Sequence, residues 1–238
     1  MKKYFIANWK LYLTIAKSEL LATRLLATEK TNARRDVEFI VAPSMLALSS
    51  VVTLLKRAKS KIKIAAQDCG FADEGAFTGA VSPNELKKMG ASYVIIGHSE
   101  RRQYFAEDAA LISKKITAAR AAGLKIIYCV GETKDERNVG RAQAVVKEQL
   151  RGFAKDVDVI AYEPRWAIGT GIAIEPAEAE QMHEYISREV GGALPICYGG
   201  SVSDKNIAAF TRLQHSSGVL VGFASTTLQA IVAMLQKI

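Results

Sequence analysis

Cysteine is scarce in this chain, with Cys69, Cys129 and Cys197 its only three, widely spaced and each set beside an apolar run. An odd, scattered set argues against a disulfide framework or a zinc-finger spacing, so reduced thiols and no metal are expected. Long hydrophobic runs are also missing. No stretch of about 18 uncharged apolar residues exists, and the N-terminal Met1-Lys2-Lys3-Tyr4-Phe5-Ile6-Ala7-Asn8-Trp9-Lys10 meets a charge too early for a signal-peptide core. These absences exclude a helical membrane span and predict a cytoplasmic location. Glycine is missing where a dinucleotide-binding fold needs it, because the turn after the first apolar run reads Asn8-Trp9-Lys10-Leu11-Tyr12. No linker or compositional break divides the chain, so residues 1–238 read as one domain.

What is present is a large apolar fraction, 49% of 238 residues, enough for a full core. The formal charge of +8 is compatible with an anionic partner, either nucleic acid or a small phosphorylated substrate. The densest basic clusters are only pairs, Arg34-Arg35, Lys87-Lys88, Arg101-Arg102 and Lys114-Lys115, a distribution that reads as solvated surface rather than a nucleic-acid stripe.

Apolar, β-branched runs recur at Tyr4–Trp9, Val37–Ala42, Ile62–Ala66, Tyr93–Ile96, Lys125–Val130, Val157–Tyr162, Leu194–Tyr198 and Gly218–Val221. Between them lie segments of helical period, including Ala47 to Ala58, Ala109 to Ala122, Ala142 to Phe153 and Ala177 to Val190, with start signals at Ser82-Pro83-Asn84-Glu85 and Glu175-Pro176. Strands apolar on both faces and separated by helices imply a parallel sheet, either doubly wound or closed. Eight units in this length favour the closed (β/α)8 barrel, an α/β fold whose active site lies at the C-terminal ends of its strands. The irregular stretch from Gln67 through Ser82 is too long for a plain connection and predicts a role in the site or in a subunit contact.

That rule gathers Asn8, Lys10, His98, Glu163, Gly199-Gly200-Ser201 and Gly222-Phe223-Ala224-Ser225 at one mouth. Glu163 ends an apolar strand and is followed by a loop with Pro164 at one end and Gly169 and Gly171 at the other, a base beneath a hinged lid. A carboxylate removes a proton beside a carbonyl only if the developing enediolate is stabilised, for which Lys10 offers a charge and His98 a hydrogen bond. A helical turn starting at His98 would place backbone N–H groups against the ring and favour its neutral form. Glycine-rich turns at Gly169-Thr170-Gly171, Gly199-Gly200-Ser201 and Gly222-Phe223 offer N–H groups to a phosphate, two of them after the seventh and eighth strands where barrels often hold one.

The ordered motifs Asn8-Trp9-Lys10, Gly75-Ala76-Phe77-Thr78-Gly79, Gly97-His98-Ser99-Glu100-Arg101-Arg102, Cys129-Val130-Gly131-Glu132-Thr133, Tyr162-Glu163-Pro164 with Trp166-Ala167-Ile168-Gly169-Thr170-Gly171, and Tyr198-Gly199-Gly200-Ser201-Val202 resemble the triosephosphate isomerase family from Phe5 to Leu228. The resemblance implies interconversion of dihydroxyacetone phosphate and glyceraldehyde 3-phosphate through an enediolate, without a cofactor. It casts Glu163 as the base, His98 as the electrophile, Lys10 as the stabilising cation, Asn8 as a contact near the carbonyl, Glu100 as a supporting carboxylate and Ser99 as a brace. Backbone N–H groups at Gly169, Ser201, Gly222 and Phe223 would meet the phosphate. The same resemblance implies a homodimer in which the third loop, around Thr78, reaches a partner near its Asn8 and Lys10. The chain departs from the family pattern at Leu11-Tyr12, Ala80, Arg165 and Phe223, and a bulky Phe223 in a phosphate turn predicts weaker phosphate affinity, through either a different approach to the phosphate or a dihedral that phenylalanine tolerates poorly. The competing readings are a ligand-binding barrel with impaired turnover and another phosphate-binding barrel enzyme, such as a sugar-phosphate epimerase or an indole-glycerol phosphate synthase.

Overall fold

Eight short strands, each apolar on both faces, close on themselves in the computed structural model, which describes residues 2–32 and 36–238. They are β1 (Lys3–Asn8), β2 (Val37–Ala42), β3 (Lys63–Ala66), β4 (Tyr93–Ile96), β5 (Lys125–Val130), β6 (Val159–Tyr162), β7 (Ile196–Tyr198) and β8 (Gly218–Val221). Every neighbouring pair is parallel, and β8 returns to β1 in the register Tyr4↔Gly218 to Ala7↔Val221. Around them run α1 (Ile15–Asn32), α2 (Met45–Arg57), α3 (Pro83–Met89), α4 (Ser99–Tyr104), α5 (Ala109–Ala121), α6 (Lys134–Asn138), α7 (Ala142–Leu150), α8 (Pro176–Glu189), α9 (Ile207–Thr211) and α10 (Leu228–Leu235). This is the single-domain (β/α)8 barrel expected from the alternation. The Arg34-Arg35 pair lies outside the described residues.

Strand alternation splits the core in two. Ile6, Ile40, Ile95, Ile127, Val159, Ala161, Cys197 and Leu220 fill the barrel interior, while Phe5, Val41, Val94, Ile126, Ile160, Tyr162 and Val219 face the helices. The strand runs therefore read as continuous rather than alternating. All three cysteines are free and buried, and burial pushes the Cys69 thiol up to about 12 and holds Cys129 and Cys197 well above the usual range. None is a reactive thiolate. No helix among the described residues is long and apolar enough to cross a membrane.

Local chemistry sets the element ends. Ser82 caps α3 by accepting from the Glu85 N–H at 3.3 Å, and Pro176 opens α8 where its missing N–H is harmless. The expected sixth and seventh strands begin two residues late. Asp158 spends its carboxylate on the Ile126 N–H at 2.9 Å and on Arg120, and Pro195 has no N–H to donate. Gly152, at φ 82°, follows the end of α7, so Phe153 does not extend that helix but packs edge-on against Tyr128.

The basic pair Arg101-Arg102, read from sequence as solvated surface, instead turns inward. Arg102 donates to the carbonyls of Gly97 and Cys129, and Arg101 pairs with Asp68 and Glu107, both of which also hold the buried Lys115. The guanidinium fork can satisfy several buried acceptors at once, which sequence spacing does not reveal.

His183, on α8, is fully buried between the rings of Tyr162 and Tyr198, and neither ring nitrogen has a hydrogen-bond partner. Burial, with the charge of His215 adding, lowers its pKa to about 3. Unfolding exposes an ordinary imidazole of pKa near 6.5, so the unfolded chain binds the extra proton between those values. The stability that neutral His183 permits is complete above about pH 6.5 and is lost at roughly 1.4 kcal/mol per pH unit as pH falls toward 3. Urea unfolding at pH 7.5 and 4.5 should therefore show a smaller acid loss for His183→Leu than for the native chain. Equal losses would remove His183 from the acid response.

Candidate functional site

The interior-facing residues of successive strands set what reaches the barrel mouth. Two residues beyond Ile6, Cys129, Ala161, Cys197 and Leu220 come Asn8, Gly131, Glu163, Gly199 and Gly222, so one layer of the mouth contains a carboxylate surrounded by small residues. Gly97, at φ 73°, turns the chain after β4 and delivers His98 over the same layer.

Glu163 and His98 are both buried, at 1% and 4% exposure. The Ser99 N–H donates to Glu163 Oε2 at 2.9 Å. His98 Nε2 approaches Oε1 at 3.1 Å without the alignment of a hydrogen bond, leaving that oxygen with no donor. His98 caps α4, and its Nδ1 accepts from the Glu100 N–H at 3.2 Å. Accepting at Nδ1 places the proton of a neutral ring on Nε2, the nitrogen that faces Glu163. Glu163 also keeps the Cys129 thiol protonated: burial is the larger cause and the adjacent carboxylate adds to it.

Lys10 sits at φ 49°, one of three non-glycine residues with positive φ among those described. The conformation is over-determined. Asn8 Oδ1 accepts from the Lys10 N–H at 3.1 Å, Gln67 donates to the Lys10 carbonyl at 3.0 Å, and Nζ meets Glu100 Oε1 at 2.5 Å. Strain held by so many partners marks a position whose direction matters. Gln67 also reaches the Ala42 carbonyl at 2.9 Å and was not singled out from sequence; it was visible only as the start of the long third loop.

The segment after Glu163 is pinned at its ends and free at its tip. Buried Glu132 accepts from Tyr162 Oη, Trp166 Nε1 and Arg137, while its carbonyl takes the Arg165 N–H at 2.9 Å. Ser201 Oγ donates to the Ala167 carbonyl at 2.6 Å, and the Ile174 N–H reaches Tyr198 Oη at 3.2 Å. Between these anchors Gly169, Thr170 and Gly171 are exposed, and Ile172 stands 66% in solvent. Glu132 and Tyr198 are thus lid anchors that motif reading alone did not identify.

Gly169, Ser201, Gly222 and Phe223 lie on the lid, the loop after β7 and the loop after β8. Among the described residues, no turn, loop or side-chain acceptor takes a bond from their N–H groups. Phe223 opens a 3-10 turn with Ser225 and is absent from the positive-φ residues, so the expected dihedral strain does not occur. Of the sequence-predicted site residues, Asn8, Lys10, Glu100 and His98 are linked by hydrogen bonds and His98 contacts Glu163, and the four N–H groups belong to the loops around them.

The third loop is braced on itself. Phe71 and Phe77 meet edge to face at 4.7 Å, the Gly70 N–H donates to the Val81 carbonyl at 2.7 Å, and residues 73–80 are exposed. Beside it opens a cleft of about 870 Å³ that runs from Asn8, Lys10 and His98 past the exposed Leu11, Leu46 and Phe105.

The fold and this cluster define a class: a (β/α)8 barrel whose mouth is equipped for proton transfer, with a buried carboxylate against an imidazole of fixed tautomer and an ammonium paired with Glu100. Comparison with known proteins narrows it. The triosephosphate isomerase family profile matches residues 3–238. Proteins named triosephosphate isomerase from Trichlorobacter lovleyi and Chlorobium phaeovibrioides are each 40% identical, the first over 96% of both chains and the second over 99% of this chain and 98% of its own. One from Chloroflexus aurantiacus is 42% identical over 92% of both chains. This chain belongs to the triosephosphate isomerase family.

Proposed function

We propose that the chain interconverts dihydroxyacetone phosphate and D-glyceraldehyde 3-phosphate by proton transfer through an enediolate, with residues 1–238 acting as one catalytic domain in the cytoplasm. The observation that carries the mechanism is the approach of His98 Nε2 and Glu163 Oε1 at 3.1 Å, with Lys10 secured beside them by Glu100. A substrate seated at the mouth against these groups offers its carbon-bound proton to Glu163 and its oxygens to His98 and Lys10. Glu163 takes the proton from the carbon beside the carbonyl; the C–H electron pair becomes the new C=C bond and the carbonyl π pair moves onto oxygen. Lys10 stabilises that negative oxygen, the Nε2–H of His98 passes its proton to it, and the freed Nε2 takes the proton of the adjacent hydroxyl, whose oxygen becomes the new carbonyl. Glu163 then returns the proton to the neighbouring carbon. Substrate and product have the same oxidation level, so the step needs no redox partner.

Phosphate binding falls to the uncommitted N–H groups of Gly169, Ser201, Gly222 and Phe223, an arrangement suited to a dianion. Closing the exposed lid tip over the phosphate would bring Gly169 to it and displace water from the enediolate, where each hydrogen bond then counts for more. Family membership favours this reading over a barrel that binds without turnover and over a sugar-phosphate epimerase. A coupled assay on the chelator-treated chain, with nicotinamide supplied only for the coupling dehydrogenase, should show conversion of glyceraldehyde 3-phosphate. No conversion above buffer at millimolar substrate would overturn the assignment.

The partner is a second copy of this chain. Its pre-braced third loop, with Thr78 at the exposed tip, would enter the cleft beside Lys10 and cover Leu11, Leu46 and Phe105. A loop already ordered loses little entropy on docking. Sedimentation velocity should give a dimer at micromolar concentration and a monomer for Thr78→Arg, whereas a native monomer at every concentration would reject the docking.

A further inference from the structure

The loops that follow β1 and β8 meet through Tyr12 and Phe223, whose ring centroids are 5.2 Å apart with planes crossing at 72°. Neither ring serves the core, for Tyr12 is 50% and Phe223 69% exposed. Each is tied to a turn that belongs to the site. The Tyr12 N–H donates to the Trp9 carbonyl at 3.2 Å, closing the turn that contains Lys10. The Phe223 carbonyl accepts from the Thr226 N–H at 3.0 Å and from its hydroxyl at 2.8 Å, fixing the turn that begins at Gly222. Those two turns enclose the Lys10 stem: a Cβ added at Gly222 would stand 3.2 Å from Lys10 Cε.

We propose that Tyr12 and Phe223 form an aromatic clasp that positions Lys10 relative to the N–H groups of Gly222 and Phe223. The ammonium faces the carbonyl end of the substrate and the N–H groups face its phosphate, so the clasp fixes the spacing between the two ends of one small molecule. The proposal rests on the reading of the site as one for triose phosphates. An edge-to-face pair sets the electropositive ring edge of one partner on the electronegative face of the other, and this geometry restrains two loops that share no backbone hydrogen bond through these residues. Both residues are departures from the family pattern, and the contact gives them a joint explanation. The clasp would also offset the weaker phosphate affinity expected from Phe223 considered alone.

The test is a double-mutant cycle read in KM, kcat and the dissociation constant of inorganic phosphate measured by calorimetry, using native chain, Tyr12→Ala, Phe223→Ala, the double variant and Tyr12→Phe. Either alanine should raise KM and the phosphate constant about two- to tenfold, the range such ring pairs support. The double variant should be no worse than the worse single, because either change opens the same contact. Tyr12→Phe should match the native chain, since the contact uses the ring and not the hydroxyl. Multiplying effects, unchanged constants in both alanine variants, or a Tyr12→Phe loss as large as that of Tyr12→Ala would each overturn the clasp. Tyr12 also borders the third-loop cleft, so sedimentation accompanies the kinetics. A Tyr12→Ala defect that disappears as rising protein concentration restores a dimer would assign Tyr12 to the interface and overturn the clasp. A native chain that binds inorganic phosphate yet does not isomerise triose phosphate would sink the functional reading, and the phosphate constants would still decide the clasp.

Discussion

Glu163→Gln lowers kcat/KM by roughly a thousandfold, the scale of a lost general base, while KM changes little. The amide fills the same space between Ser99 and His98, so the fold and the phosphate contacts survive and only proton removal fails. The site makes this substitution informative because Oε1 is buried with no aligned donor of its own. A carboxylate so placed is neither solvated nor saturated by hydrogen bonds, and its free oxygen is available to a substrate proton. Glu163→Asp tests the same point by distance, since withdrawing the carboxylate by about one ångström should cost about a hundredfold. Steady-state kinetics on both variants, with unfolding midpoints as the control, distinguishes chemistry from damage. A Gln variant with native kcat would remove Glu163 from the role of base.

Gly131→Ala should harm both fold and rate. A Cβ there would stand 1.7 Å from the Glu163 carbonyl oxygen and 2.5 Å from its carbonyl carbon, so the obstruction is backbone and cannot rotate away. Retreat is blocked on the other side, where Gln149 accepts from the Gly131 N–H at 2.7 Å and donates to its carbonyl at 3.0 Å. The expected outcome is a stability loss at or above the upper end of ordinary overpacking, about 3 kcal/mol, together with a roughly hundredfold fall in kcat/KM as β6 and Glu163 shift. Gly199→Ala is the milder companion, for its Cβ would meet Glu163 Cγ at 2.8 Å, a side-chain atom rather than backbone. It should slow the reaction while leaving the urea midpoint close to native. Native midpoint and native rate in Gly131→Ala would show that the β5–β6 spacing at Glu163 is slack.

The barrel itself was legible because strands buried on both faces produce unbroken apolar runs and two of the helices carry start signals, at Ser82-Pro83 and Pro176. Strand ends located Asn8, Lys10, His98 and Glu163, since in this architecture position along the chain determines position at the mouth. What stayed hidden depends on register across strands. Nothing local to Gly131 says that its missing side chain makes room for the Glu163 backbone, and nothing in Leu11-Tyr12 or Phe223 says that those loops touch. The inward turn of Arg101-Arg102 escaped for a similar reason: its acceptors come from Gly97, Cys129, Asp68 and Glu107, scattered in sequence and adjacent only once the barrel closes. Gln67 was hidden inside a loop whose length, rather than its composition, drew notice.

Proton transfer by a buried carboxylate is most directly tested by isomerising glyceraldehyde 3-phosphate in deuterium oxide and following the product by proton NMR. The native chain should form dihydroxyacetone phosphate well above the buffer rate, with solvent deuterium appearing on the carbon that receives the proton, and Glu163→Gln should form almost none. No product above buffer from the native chain would contradict the account, as would rapid product formation in which Glu163→Gln matches the native chain.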